Sequence, residues 1–174
     1  MIKEGPNPLA ENRVTRLLAL SLAALAIAGG AAQAQPAAPA AAPPSAAAQA
    51  DFLAKNAKAA GVVTLPSGLQ YKVVASGPAG PSPKPGDIIK VHYEGTLVGG
   101  QVFDSSIARG KPVLFPLDGL VPAWMEALPK MKVGDEWMLY APPELGYGPQ
   151  GAGPIPPNAV LIFRIKLLGM LSQD

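Results

Sequence analysis

The sequence predicts an α+β fold in which an antiparallel sheet wraps on one short helix. Three observations carry that expectation. Apolar residues recur at every second position in several separate runs, a single window after Pro122 has apolar residues at helical spacing, and glycine and proline concentrate in the segments between.

Leu69, Tyr71 and Val73 alternate with Gln70 and Lys72, and Ile89, Val91 and Tyr93 alternate with Lys90, His92 and Glu94. That is the period of a strand with one face in and one face out. Gly99-Gly100 is a turn signal between the runs 88–98 and 101–104, which predicts an antiparallel hairpin. A short strand is expected at 113–117. Pro122 suits a first helical turn, and Trp124, Leu128 and Met131 follow at i, i+4 and i+7, so one amphipathic helix is expected over 121–131. Pro129 should end or distort its last turn. Val133-Gly134-Asp135 then turns the chain into a strand at 136–141, and a long strand at 159–168 sets Leu161, Phe163, Ile165 and Leu167 facing one way. Between these two strands, 142–158 is dense in Gly and Pro yet keeps Tyr147 and Ile155. Loops longer than about 12 residues without regular structure are usually functional or disordered.

The first 64 residues read differently. Arg13 and Arg16 precede the apolar run 17–28, and Gly29, Gly30 and Ala32-Gln33-Ala34 follow, the order of a secretory signal peptide cleaved after Ala34. The run is too short to cross a hydrocarbon layer of roughly 30 Å comfortably, and no cysteine stands ready for a lipid. Removal of the signal and a periplasmic protein without stable membrane insertion are therefore expected. Residues 1–34 are assigned to the signal peptide, 35–64 to an Ala/Pro-rich linker with a short helix, and 65–174 to the folded domain. The stretch 35–50 offers no large apolar side chain to bury and reads as a disordered or extended spacer. The short helix is expected at 51–60, with Phe52, Leu53, Asn56 and Ala60 loosely on one side and Gly61 ending it.

The formal charge of +2 falls by one when Lys3, Arg13 and Arg16 leave with Glu4 and Glu11, and no basic patch or charge run remains to attract nucleic acid or an anionic membrane. Cysteine is absent and His92 is the sole histidine, which excludes disulfides, thiol catalysis and the usual zinc constellations. No cofactor or metal site is expected. His92 alternates with inward-facing Val91 and Tyr93, so it reads as structural or exposed rather than catalytic.

Several short motifs stand in a specific order: Val91-His92-Tyr93-Glu94-Gly95-Thr96-Leu97, Gly100-Gln101-Val102-Phe103-Asp104-Ser105-Ser106, Trp124, Leu145-Gly146-Tyr147-Gly148, and Ile155-Pro156-Pro157-Asn158-Ala159 with Leu161-Ile162-Phe163. In that order and spacing the chain resembles the FKBP-type peptidyl-prolyl isomerases across 65–171. The lead-in Phe52-Leu53-Ala54-Lys55-Asn56-Ala57 and Ser67-Gly68-Leu69-Gln70-Tyr71 is similar to exported bacterial members.

The resemblance implies a curved antiparallel half-barrel of five to six strands around the helix 121–131, with an apolar cavity for a proline ring. By that likeness Trp124 forms the floor, Tyr93, Phe103, Val121, Ile155 and Phe163 line it, and Tyr147 leans over it. Asp104 stands at the rim, paired with Arg109. Val113, Phe115 and Leu120 complete the substrate-binding set, and Asp104, Tyr147, Trp124 and Phe163 are the residues implied to carry catalysis. Taken singly, Trp124 and Phe163 read as core, and Asp104-Ser105-Ser106 as a turn. The sequence departs from the family pattern at Val113, where many members have an aromatic residue, at Ala123, where glycine is common, and in the loop 149–154.

The implied partners are proline-containing polypeptides, with the macrolide inhibitors of the family as candidate ligands and no nucleic acid. Some exported relatives dimerise through long N-terminal helices, whereas here only 51–60 is read as helical, so a monomer is expected. A second class of function is a non-catalytic binding module or holdase using the same cleft. A hydrolase built on Ser105 or Ser106 with His92 is a third, and it lacks the glycine pattern of a nucleophile elbow.

Overall fold

Alternating apolar residues generate one open, seven-stranded antiparallel sheet in the computed structural model, which describes residues 44–172. The predicted signal peptide and residues 35–43 of the predicted linker lie outside the described residues. The strands are β1 (Val62–Thr64), β2 (Gln70–Ala75), β3 (Ile88–Leu97), β4 (Val102–Ser105), β5 (Val113–Pro116), β6 (Glu136–Ala141) and β7 (Leu161–Leu171). Their spatial order is β1-β2-β6-β7-β3-β4, with β5 also on β3. The sheet thus has more strands than the five to six expected, because the three-residue β1 pairs with β2 from within the stretch read as linker.

The spine is the pair β3 and β7, running from Ile88↔Leu171 to Leu97↔Leu161 with one shift of register between Lys90 and Val91. Each strand buries every second residue, so Val91, Tyr93, Leu161, Phe163, Ile165 and Leu167 all enter the core, as the alternation predicts. The far edge of β3 is divided between two partners. Residues Ile88–Val91 pair with β5 and Glu94–Thr96 with β4. Tyr93 falls in the seam, and there Ser106 replaces a strand: its N–H donates to the Tyr93 carbonyl (2.9 Å), and its hydroxyl accepts from the Tyr93 N–H (2.7 Å). The Gly99-Gly100 turn closes the hairpin from β3 to β4, with Gly100 at φ +83° and its N–H bonded to the Leu97 carbonyl.

The helix expected over 121–131 is α2 (Pro122–Ala127), followed by one 3₁₀ turn at Leu128–Lys130. Val121 is its N-cap, and Pro129, which has no N–H to continue an α-helical ladder, accompanies the tightening. Ala123, Trp124, Ala127, Leu128 and Met131 are all buried against the sheet.

Two local expectations are corrected. The first helix, α1, runs Ala46–Asn56 rather than 51–60, and the chain leaves it at Ala57 without using Gly61. The alanines of the supposed spacer are strong helix formers, and Ser45 caps them by accepting from the Ala48 N–H. The helix is also docked, which composition alone does not reveal. In β2 the inward face is not the one expected either. Leu69 is buried and Tyr71 half-buried, stacked on Trp137 at 4.5 Å, but Val73 is exposed and the polar Gln70 is buried. Gln70 is covered by α1: its amide donates to the Leu53 carbonyl (2.9 Å) and accepts from Asn56 (2.8 Å).

Candidate active site

One open pocket of about 360 Å³ lies where the inner faces of β3, β4, β5 and β7 meet the start of α2. Tyr93 comes from β3, Phe103 and Asp104 from β4, Phe115 from β5, Gly119, Leu120 and Val121 from the approach to α2, Trp124 from its first turn, and Phe163 from β7. Tyr147 joins them from the long loop, held between 3₁₀ turns at Pro143–Leu145 and Gly148–Gln150.

Trp124 organises the apolar part. Its ring meets Tyr93 at 5.3 Å, Phe163 at 5.4 Å and Phe115 at 6.0 Å between centroids, each near perpendicular. Such edge-to-face pairs each add about 0.5–1.5 kcal/mol beyond area burial, so the floor is rigid as well as apolar. Phe103 extends this wall, perpendicular to Phe163 at 5.7 Å. Its ring tip comes up against β3 at residue 95, where only glycine leaves room: a Cβ there would come within 2.4 Å of it.

The rim is polar. Asp104 accepts from the Tyr93 hydroxyl and from Arg109 Nη1, while Arg109 Nη2 donates to the same Tyr93 hydroxyl (3.2 Å). The guanidinium carbon stands 5.8 Å from the Tyr93 ring centroid. Ser105 holds the turn that brings Arg109 round, its hydroxyl accepting from the Ala108 N–H at 3.0 Å. Burial works to raise the Asp104 carboxyl, but hydrogen bonds from Tyr93 and Arg109 and the guanidinium charge outweigh it and hold the group below the usual carboxylate range. Burial, then the bond to Asp104, pushes the Tyr93 phenol up against the opposing effect of Arg109. Asp104 is therefore an ionised acceptor and Tyr93 a neutral donor near neutral pH. Tyr147, 42% exposed, completes the lining from the long loop.

Of the residues singled out in the sequence, Asp104, Tyr147, Trp124, Phe163, Tyr93, Phe103, Phe115, Leu120 and Val121 all line this pocket. Arg109 stands behind the rim and reaches it through Asp104. Two do not line it. Val113 sits at the start of β5 opposite Val91, half-buried against the core. Ile155 is buried in the core, because the loop doubles back through an Ala152↔Ile155 bridge. Gly119, absent from the expected set, lies in the wall at φ +96°, and the Asp118-Gly119 turn signal before Pro122 is what could have marked it. The serine pair faces no mouth: Ser106 is fully buried, its hydroxyl held by the Tyr93 backbone and 3.1 Å from His92 Nδ1. That leaves a Ser–His hydrolase without an accessible nucleophile.

A family model described as FKBP-type peptidyl-prolyl cis-trans isomerase matches residues 80–168, and one for the domain amino terminal to such isomerases matches 12–73. The chain is 49% identical over 120 residues to the FKBP-type peptidyl-prolyl cis-trans isomerase FkpA of Aeromonas hydrophila, covering 69% of this chain and 44% of the relative. It is 50% identical over 120 residues to the peptidyl-prolyl cis-trans isomerase Mip of Coxiella burnetii, covering 68% and 52%. The chain thus spans about half the length of the curated relatives it matches. Among solved structures, FkpA from Escherichia coli superposes with a TM-score of 0.69 at 44% identity, covering 71% of this chain and 58% of the other. A peptidyl-prolyl cis-trans isomerase from Pseudomonas syringae gives 0.67 at 33% identity, covering 72% and 92%.

Proposed function

The chain belongs to the FKBP-type peptidyl-prolyl cis-trans isomerase family, and from that premise we propose that its Trp124-floored pocket catalyses rotation about X-Pro bonds in exported polypeptides. The amide barrier of about 18–20 kcal/mol arises from resonance that rotation breaks, and no covalent bond is cleaved. A catalyst needs only to bind the twisted amide better than either planar form. A thousandfold acceleration asks for about 4 kcal/mol of such preference.

The pocket supplies this in two parts. The aromatic floor of Trp124, Phe163, Phe115 and Phe103 takes the proline ring and strips water from the amide, which disfavours the more polar planar form. The polar rim then fixes the peptide: the Tyr147 hydroxyl and the Val121 N–H hold it in register as donors, and the Asp104–Arg109–Tyr93 triad sets the field at the rotated carbonyl. The single observation that carries the reading is the joint placement of an indole floor and an ion-paired carboxylate in one open pocket.

The test is isomerisation of a prolyl tetrapeptide by the wild type and by Trp124→Leu and Asp104→Asn, alongside refolding of a client lacking proline. Wild-type turnover lost in the variants supports catalysis. Equal help to the proline-free client by all three proteins would instead establish the holdase. Export rests on the order of Arg13, Arg16, the apolar run and Ala32-Gln33-Ala34. N-terminal sequencing of periplasmic material beginning at Gln35 checks it. The mature protein is proposed to be monomeric, tested by light scattering. Macrolide affinity is checked by inhibition of the same isomerisation.

A further inference from the structure

The loop that carries Tyr147 over the pocket has two feet, and α1 grips both. The residues at 46, 49, 50 and 53 form one helical face, and with Pro142, Glu144, Asn158 and Val160 they line a second groove of about 350 Å³. At the outgoing foot, Gln49 is buried, and its amide oxygen accepts from the backbone N–H of Val160, the residue before β7 begins. The same amide nitrogen donates to the Pro44 carbonyl at 3.2 Å, so both ends of the side chain are satisfied. At the incoming foot, Gln70 pairs in register with Tyr140 at the end of β6, two residues before Pro142. The Gln70 amide is in turn tied to Leu53 and Asn56 of α1, and Phe52 packs on the Tyr140 ring at 6.1 Å.

We propose that α1 is a clamp on the Tyr147 loop and that Gln49 is a positioning residue for the cleft. A buried glutamine in an otherwise alanine-rich helix is expensive unless its polar ends are matched, and here one end closes the loop's exit from a distance of more than a hundred residues along the chain. The Ala141↔Leu161 pair keeps the two feet together, so releasing Gln49 acts on the outgoing segment: the Val160 N–H is freed, Asn158, whose N–H donates to the Gly148 carbonyl, loosens with it, and Tyr147 beside Gly148 spends less time over the mouth. Substrate binding weakens, while the Trp124 floor and the Asp104 rim, which hang on β3, β4 and α2, stay as they are. This rests on the pocket being the isomerase site proposed above, and the experiment separates the two.

Two variants of the full chain decide it: Gln49→Met, which keeps the length and removes the acceptor, and Gln49→Glu, whose carboxyl when protonated keeps both an acceptor oxygen and a donor hydrogen. Hydrogen exchange should quicken in Gln49→Met across 142–160 and stay unchanged in β3. Its KM for a prolyl tetrapeptide should rise roughly five- to tenfold, the effect of one lost hydrogen bond to a buried donor, with kcat changed less than about twofold. Gln49→Glu should regain most of the exchange protection at about pH 4, where its carboxyl is protonated, and lose it at about pH 8, where a buried carboxylate faces the Pro44 carbonyl. Uniformly faster exchange through the whole sheet, unchanged exchange in 142–160, or Gln49→Glu failing at about pH 4 like Gln49→Met would each overturn the clamp. An inactive wild type would defeat the isomerase reading, while the exchange pattern still decides the clamp.

Discussion

Replacing Gly95 by alanine tests how the pocket wall is built. The added Cβ would lie 2.4 and 2.5 Å from two carbons of the Phe103 ring, where ordinary contact begins at 3.4 Å. The ring must therefore retreat by about 1 Å, and forcing a methyl into such a contact costs about 1–3 kcal/mol. Alanine recovers roughly 0.5–1 kcal/mol by restricting the unfolded chain. The net loss is about 1 kcal/mol, which lowers Tm by about 3–5 °C in a domain of this size. A typical domain has 5–15 kcal/mol in hand, so the variant stays folded in the assay. Activity has no such reserve. Phe103 loses its perpendicular contact with Phe163, the wall shifts, and a displacement of about 1 Å in a binding wall costs on the order of ten- to a hundredfold in kcat/KM. Urea denaturation and tetrapeptide isomerisation, run on one preparation, give the two numbers. Adding Phe103→Leu should return the stability without the activity. If Gly95→Ala loses neither, or loses stability alone with full turnover, Phe103 does not form the wall.

Two further outcomes follow from the rim and the seam. Asp104 is held below its ordinary value of 3.8, so its favourable pairing is complete at pH 5 and above and disappears as pH falls through the depressed value; an NMR titration should show the carboxyl low in the wild type and shifted upward in Arg109→Met, with the acid limb of isomerase activity moving the same way. Because this carboxylate is partly exposed, the accompanying change in stability is small. Ser106→Ala strands the buried Tyr93 N–H that its hydroxyl accepts at 2.7 Å and should cost about 1–3 kcal/mol in chemical denaturation, whereas Ser106→Thr should keep part of it; equal stability of all three proteins would contradict the seam.

The legibility of the chain divided along physical lines. Strands buried on one face, β3, β6 and β7, showed their period plainly, and α2 showed its spacing, since each faces one core. The cleft residues came from motif order rather than from periodicity: nothing in the alternation of Tyr93 or Phe163 separates a pocket wall from packed core, and only the fold shows the space beside them. Tertiary contacts defeated local reading elsewhere. Gln70 is buried because α1 lies over it, and α1 is stable because Gln49, Phe52 and Asn56 find partners far along the chain. Ile155, implied as a wall residue by its place in a motif, is buried beside its bridge to Ala152 in the same core cluster that supplies Trp124 and Phe163.

The divided edge of β3 makes Tyr93 the anchor of everything beyond it. Since β4 and β5 meet that strand separately, the join is tied by polar contacts instead of a ladder, Ser106 on the Tyr93 backbone and Asp104 and Arg109 on its hydroxyl. One side chain, whose ring also abuts the indole, thereby couples the apolar bed to the charged lip, and neither can be reshaped without the other registering it.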